Sequence, residues 1–154
     1  MISRMIANGV HNRCRGAARV VQICQAIGET WTTIAKDAKV AAMAAFDSGN
    51  LLAVATALRE RYKDKPIIIA GDDDHRLENN PGREKAIEAA AAVKGLAVFP
   101  KLSTEQREQG MTDFNDLGRV QPEIVARHLE AVVHEVRQGR AVRREHAPSM
   151  ELTR

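Results

Sequence analysis

A short apolar run followed at once by three aspartates constrains this chain more than any other feature. The run is Ile67-Ile68-Ile69-Ala70, and Gly71-Asp72-Asp73-Asp74 follows it directly. Continuous apolar residues of the β-branched type favour a central strand that is covered on both faces. Carboxylates this close together repel one another and raise their own pKa values unless a cation or a basic group compensates. The end of this strand must therefore lie where concentrated negative charge is tolerated.

Asp72 and Asp74 are the better candidates for a metal site within this run. Residues two apart in an extended segment share a face, so these two side chains can point together while Asp73 points away. Oxygen ligands suit Mg²⁺, which takes one or two carboxylates and keeps water and substrate phosphates in its remaining positions. We predict a Mg²⁺ site at Asp72 and Asp74. The competing interpretation is an Asp-rich turn that caps the next helix.

Strand-like and helix-like segments alternate along the chain, which predicts an α/β fold. The predicted strands are residues 19–24, 41–46, 67–70 and 96–100, and the predicted helices are 29–39, 50–63, 83–93 and 122–137. This order indicates a compact domain with a central, mainly parallel four-stranded sheet flanked by helices. Ligands are then expected at the carboxyl ends of the strands. A receiver-like doubly wound domain is the competing fold, but its phosphoacceptor and lysine pattern is not evident.

A second acidic segment, Thr112-Asp113-Phe114-Asn115-Asp116-Leu117, follows the last predicted strand. The topology is expected to bring Asp113 and Asp116 to the same sheet edge, where they would add ligands to the metal site. A turn with a helix cap is the other interpretation of this segment.

Length and composition set the domain organisation. The chain has 154 residues, enough for one core. Residues 1–18 are predicted to be an irregular arm, 19–137 the domain, and 138–154 a basic, disordered tail. With Cys14 and Cys24 as its two cysteines, the chain has no disulfide framework, which favours the reducing cytoplasm. No apolar run is long enough to span a membrane. The net charge of +3 permits a nucleic-acid partner without establishing one.

Basic residues near the acidic run are candidates for contacts with phosphate. His75 and Arg76 follow the aspartates, Arg83 opens the next helix, and Lys85 and Lys101 flank the same predicted edge. Basic groups bind phosphate where a metal and a phosphate share a site. The alternative is that they neutralise the aspartates or are solvated.

Three segments in order make the chain resemble the Toprim family, the module shared by bacterial-type primases, topoisomerases and related nucleases. They are Phe46-Asp47-Ser48-Gly49-Asn50-Leu51, the stretch from Gly71 to Lys85 with its Asp-x-Asp motif, and Thr112 to Leu117. More narrowly, these segments are similar to Toprim domains of plasmid and phage primases and large conjugative relaxases. It covers about residues 20 to 137.

The resemblance implies magnesium-dependent phosphoryl or nucleotidyl transfer on nucleic acid, either DNA or an RNA primer-template. It also implies partner domains of a larger primase or relaxase. In the family the two aspartates hold metal, and a glutamate after the first strand acts as acid or base. Gln25 stands at that glutamate position here, and Glu29 is a possible substitute one turn further on. Because glutamine exchanges no proton at neutral pH, the chain is either a catalytic Toprim domain or a noncatalytic remnant that binds nucleic acid or protein.

Overall fold

The computed structural model describes residues 20–24, 40–44 and 48–139, the first two segments by their backbone alone. The predicted arm, the predicted helix at 29–39 and all but the start of the predicted tail lie outside these residues.

The strands are β1 (Val20–Cys24), β2 (Val40–Ala44), β3 (Ile67–Ala70) and β4 (Leu96–Val98). They pair in parallel in the order β2-β1-β3-β4. In register, Cys24 lies beside Ala44 and Ala70, and Ala70 lies beside Val98, so the strands end at one level. The order changes direction between β1 and β3, which is the place where open parallel sheets bind ligands. Gly71 to Asp74 leave the sheet beside this place.

Five helices occur in the described part of the chain. They are α1 (Leu51–Arg61), preceded by a 3-10 turn at Ser48–Asn50, then α2 (Pro81–Ala92), α3 (Thr104–Glu108), α4 (Phe114–Val120) and α5 (Pro122–Arg137). None of these helices is both long enough and apolar enough to cross a lipid bilayer.

The core has two layers because alternate residues of β3 face opposite sides of the sheet. Ile67 and Ile69 pack against apolar residues of α1 and α2, whereas Ile68 and Ala70 pack against α4 and α5. All four residues of β3 are buried. The apolar run is therefore a strand covered on both faces, as its composition predicts.

The prediction of an α/β chain with parallel strands is confirmed, and α5 has the predicted bounds. Other bounds differ: the helix predicted at 50–63 is Leu51–Arg61, the strand predicted at 41–46 is Val40–Ala44, and the strand predicted at 96–100 ends at Val98. The helix predicted at 83–93 begins two residues earlier, because Pro81 suits the first helical turn and the side chain of Asn80 caps it. The short helices α3 and α4 were not predicted as helices, because neither has enough turns to show a helical apolar period.

Candidate metal-binding and phosphate-binding site

The two acidic segments meet at the carboxyl end of β3. The backbone N–H of Asp73 donates a hydrogen bond to the carbonyl of Thr112 at 2.7 Å. This bond ties the turn after β3 to the residue just before Asp113, although the two lie far apart in the chain. The predicted convergence of the two segments at one sheet edge is what the structure describes.

The carboxyl of Asp72 at this edge is strongly perturbed. Burial of its carboxyl, followed by the charges of three neighbouring carboxylates, raises the pKa of Asp72 from 3.8 to about 7. In order of decreasing effect, the neighbours are Asp113, Asp74 and Asp116. All of these neighbours are negative, so deprotonation of Asp72 is opposed by every one of them. A bound cation would remove this opposition.

Asp74 is held against the amino end of α2. Its Oδ2 accepts a hydrogen bond from the backbone N–H of Gly82 at 2.9 Å, where the helix dipole favours a carboxylate. Gly82 leaves the room that this contact needs. A Cβ there would lie 2.6 Å from Asp74 Oδ2 and 3.2 Å from the Cβ of Asp72. Gly82 therefore lies directly against both members of the Asp-x-Asp motif.

Asp113 and Asp116 form the cap of α4. Asp113 Oδ1 accepts from the N–H of Asp116 at 2.7 Å, and Asp116 Oδ2 accepts from the N–H of Thr112 at 3.1 Å. The helix-cap interpretation of this segment is thus confirmed. Capping also fixes both carboxylates near Asp72, so the cap and the acidic edge are parts of one arrangement.

Asp73 points away from the cluster and into the protein. Its side chain is 3% exposed, and Arg107 Nη2 lies 2.6 Å from its Oδ2. No N–H of Arg107 is aligned with that oxygen, so the contact is an ion pair without hydrogen-bond geometry. Asn80 Nδ2 donates to Oδ1 at 2.7 Å. The run of three aspartates therefore has two roles, with Asp72 and Asp74 at the edge and Asp73 inside.

His75 and Arg76 hold the end of α3. The ring nitrogens of His75 lie 2.9 Å from the carbonyl oxygen of Asp73 and 3.2 Å from that of Arg107. Arg76 Nη2 donates to the carbonyls of Arg107, at 3.0 Å, and of Glu108. Both side chains thus already bond to the protein itself. Their predicted contacts with phosphate stay predictions.

Arg83 lies over an aromatic ring beside the acidic edge. Its guanidinium carbon is 4.2 Å from the ring centre of Phe99, and its Nη1 is 3.9 Å from Asp73 Oδ1. The backbone donors that open α2 are occupied, since the N–H of Arg83 bonds to the side chain of Asn80 and that of Gly82 to Asp74. The helix end therefore has no free donor for an anion in this first turn, and the predicted phosphate contact of the exposed Arg83 guanidinium stays a prediction.

The remaining predicted residues are at the surface or outside the described part. Lys85 is exposed on α2, and Lys101 is exposed after β4. Lys101 lies near His128, whose pKa is lowered by burial and, to a lesser extent, by this lysine. Gln25 and Glu29 lie outside the described residues. Gln25 directly follows Cys24, which pairs with Ala70 at the end of β3.

The acidic edge is not a closed metal cage. Across residues 48–139 and the two described strands, no group of three or more His, Cys, Asp or Glu side chains is arranged to hold a metal ion. Mg²⁺ requires fewer protein ligands than that, since it keeps several waters and commonly binds one or two carboxylates together with substrate phosphates. Asp72 and Asp74, which both lie against Gly82, are the candidate donors of this kind.

Sequence reasoning missed Arg107 and Gly82. Arg107 lies in a short polar segment, and nothing in its spacing points to a partner 34 positions earlier. The signal for Gly82 was its place in Asn80-Pro81-Gly82, which predicts the start of a helix but not contact with the aspartates.

Comparisons with known proteins place this chain beside DNA primases. It is 44% identical over 120 residues, 75% of the chain, to DNA primase TraC of Escherichia coli, and this match covers 7% of that protein. A second DNA primase TraC of the same species is 45% identical over 112 residues, 68% of the chain and 10% of that protein. The chain thus spans about a tenth or less of these relatives, and it is homologous to a segment of them. No protein-family model matches the chain. No solved structure matches it significantly.

Proposed function

We propose that the chain is a Toprim-like domain of a primase-related protein, in which Asp72 and Asp74 bind Mg²⁺ for phosphoryl or nucleotidyl transfer on nucleic acid. The observation that carries the proposal is the meeting of two acidic segments at the carboxyl end of β3. Homology to a segment of DNA primase TraC supports the nucleic-acid context. The motif order and the parallel sheet support the Toprim assignment.

The charges around Asp72 favour a cation there. Because its pKa is about 7, Asp72 is protonated in part of the molecules near neutral pH, and this proton lowers the negative charge of the acidic edge. A divalent cation replaces that proton, which makes metal binding and deprotonation of Asp72 one linked event. When bound, Mg²⁺ supplies positive charge for the oxygens of a reacting phosphate.

The protein's own groups have distinct parts in this proposal. Asp74 is fixed by Gly82 on one side, which orients its carboxylate along the edge of the sheet. Asp113 and Asp116 add negative charge without being displaced from their helix cap. Arg83, about half exposed and lying over Phe99, is a guanidinium that can meet a phosphate beside this edge.

The proposal has a noncatalytic form, which Gln25 favours. With glutamine at the position of the family glutamate, the domain keeps the aspartates for metal but lacks a side chain that exchanges a proton there. In that form the domain binds nucleic acid or another protein without turnover. Glu29 is the candidate to supply the missing carboxylate in the catalytic form.

The larger context is also a proposal. The homologous segment is a small part of TraC. We therefore infer that template binding and primer synthesis require further domains, in a plasmid- or phage-related protein acting in the cytoplasm. A role in plasmid mobilisation is compatible with the likeness to conjugative relaxases.

The experiment is a metal-dependence assay on the purified chain with single-stranded DNA and nucleoside triphosphates, scoring both strand cleavage and nucleotide addition. If the domain is catalytic, magnesium-dependent activity is present and Asp72→Asn abolishes it, whereas Asp64→Asn, in an exposed turn before β3, leaves it unchanged. If the domain is a remnant, the unmodified chain shows no activity, and Gln25→Glu is the variant expected to produce some. Activity that survives Asp72→Asn contradicts the assignment of the metal site.

A further inference from the structure

Among the described residues, Asp73 is the single polar or charged side chain that is buried. Burial of a carboxylate costs free energy, and an ion pair commonly repays only part of that cost. An apolar residue of similar size would avoid the cost altogether. The presence of a charge at this position therefore calls for a role other than stability.

The carboxylate of Asp73 joins the loop before α2 to the end of α3. Asn80, which contacts Oδ1 at 2.7 Å, belongs to the loop that leads into α2, and its backbone is in the left-handed region at φ 45°. Arg107, which contacts Oδ2 at 2.6 Å, belongs to the last turn of α3. The side chain of Asp73 thus lies between the N-cap of α2, two residues before Gly82, and the helix that precedes the second acidic segment.

Backbone hydrogen bonds also connect the segment around Asp73 to the chain that follows α3. Its N–H donates to Thr112, and its carbonyl oxygen accepts from the N–H of His75, each at 2.7 Å. The carbonyl of Arg107 in turn lies against the side chains of His75 and Arg76. The first acidic segment therefore holds the end of α3 through both the side chain and the backbone of Arg107.

The chain from Arg107 to Thr112 has little freedom between these two attachments. It turns at Gly110 with φ +91°, and a Cβ there would lie 3.1 Å from Arg76 Nη1. Asp113 follows Thr112 directly. The position of Asp113 relative to Asp72 is thus set at Arg107 and at Thr112.

We propose that Asp73 and Arg107 are positioning residues for the metal site, which hold the two acidic segments in register so that Asp72 and Asp74 face Asp113. The inference rests on the proposed Mg²⁺ site but assigns a role to residues that do not touch the metal. Supporting residues of this kind typically change metal affinity by roughly 10-fold to 100-fold when they are replaced.

The substitution Arg107→Gln separates this role from simple electrostatics. Removing a positive charge near an acidic cluster makes the local potential more negative, which by itself strengthens Mg²⁺ binding. Removing the partner of Asp73 also releases the end of α3 and the segment that carries Asp113, which weakens binding. Positioning and electrostatics therefore predict opposite signs for one variant.

The test is calorimetric titration of Mg²⁺ into the full chain and its variants, well below their unfolding temperatures. We expect Arg107→Gln to bind Mg²⁺ roughly 10-fold more weakly than the unmodified chain. The double variant Asp73→Asn with Arg107→Gln, in which two amides can pair, should recover most of this loss. Arg119→Gln, an exposed arginine on α4, is the matched control and should leave the affinity unchanged. Equal or tighter binding by Arg107→Gln overturns the proposal.

Amide hydrogen exchange measured without metal tests the attachment of the two acidic segments independently of Mg²⁺ binding. In Arg107→Gln, the N–H groups of Asp73 and Asp116 should lose protection, while buried amides of α5 keep it. If the unmodified chain binds no Mg²⁺, the metal site fails, and this exchange pattern then decides only whether Asp73 and Arg107 hold the two acidic segments in register. Unchanged protection overturns it. Should Arg107→Gln fail to fold, Arg107→Lys replaces it. If Arg107→Lys has the same Mg²⁺ affinity and the same amide exchange as the unmodified chain, the guanidinium is not needed and the role assigned to Arg107 is overturned.

Discussion

Replacing Asp72 by asparagine should stabilise the metal-free protein at alkaline pH. The pKa of Asp72 is raised from 3.8 to about 7, so the folded state holds its proton more tightly than the unfolded chain does. The folded state consequently loses stability as pH rises from about 4 to about 7, and the full penalty is present above that range. Asparagine has no proton to lose and avoids the penalty.

The size of the effect follows from the shift. A fully expressed shift of this size corresponds to about 4 kcal/mol, and solvent screening of the partly exposed Asp72 reduces the expected gain to about 1–2 kcal/mol. For a domain of this size, that gain raises the melting temperature by roughly 3–8 °C. Thermal unfolding followed by circular dichroism, in EDTA at pH 5 and pH 8, measures it.

The pH dependence and a matched control decide this prediction. At pH 5 the folded state keeps the proton of Asp72 while the unfolded chain has mostly lost it, so only part of the advantage of Asp72→Asn should be present, and the full advantage should appear at pH 8. Asp64→Asn makes the same chemical change in an exposed turn before the amino end of β3, and it should leave the melting temperature unchanged. Equal or lower stability of Asp72→Asn at pH 8 would refute the reasoning, as would an equal gain at pH 5.

Three further outcomes are expected. Because Mg²⁺ competes with the proton on Asp72, calorimetric affinity should rise about tenfold between pH 6 and pH 8; a flat profile excludes Asp72 as a ligand. Gly82→Ala should lower the free energy of unfolding, measured in urea, by about 1–3 kcal/mol, because the new Cβ meets Asp74. It should also weaken Mg²⁺ binding, and unchanged binding would show that Asp74 is not needed. Gln25→Glu should tighten Mg²⁺ binding by placing a carboxylate after β1, while Gln138→Glu, at the far end of α5, should not.

The fold was largely predictable because its strongest signals are local. The apolar run at Ile67 to Ala70 has no polar alternation, and α5 carries apolar residues at a regular helical period, so both were found at their bounds. For the short helix at Phe114–Val120 the sequence predicts only the cap, because capping residues are recognisable in a sequence whereas two turns of helix show no clear period.

The site was predictable where it depends on topology and not where it depends on side-chain geometry. Parallel strands bring their carboxyl ends to one edge, which sufficed to place Asp113 near Asp72. The pairing of Asp73 with Arg107 and the close approach of Gly82 to Asp74 depend on how loops pack. No spacing rule encodes such contacts. Arg76 likewise binds carbonyls at the end of α3, a use that its place beside the aspartates does not reveal.

Magnesium titration followed by NMR tests the central claim most directly. We expect the backbone amides of Gly71 to His75 and of Asp113 to Leu117 to shift together as Mg²⁺ is added at pH 8, with Asp72→Asn removing the shifts in both segments. The amides of α5 near Arg137, far along the last helix, should stay in place. The absence of shifts in both acidic segments at millimolar Mg²⁺ would contradict the metal site, and the likeness to Toprim domains would then describe fold and ancestry alone.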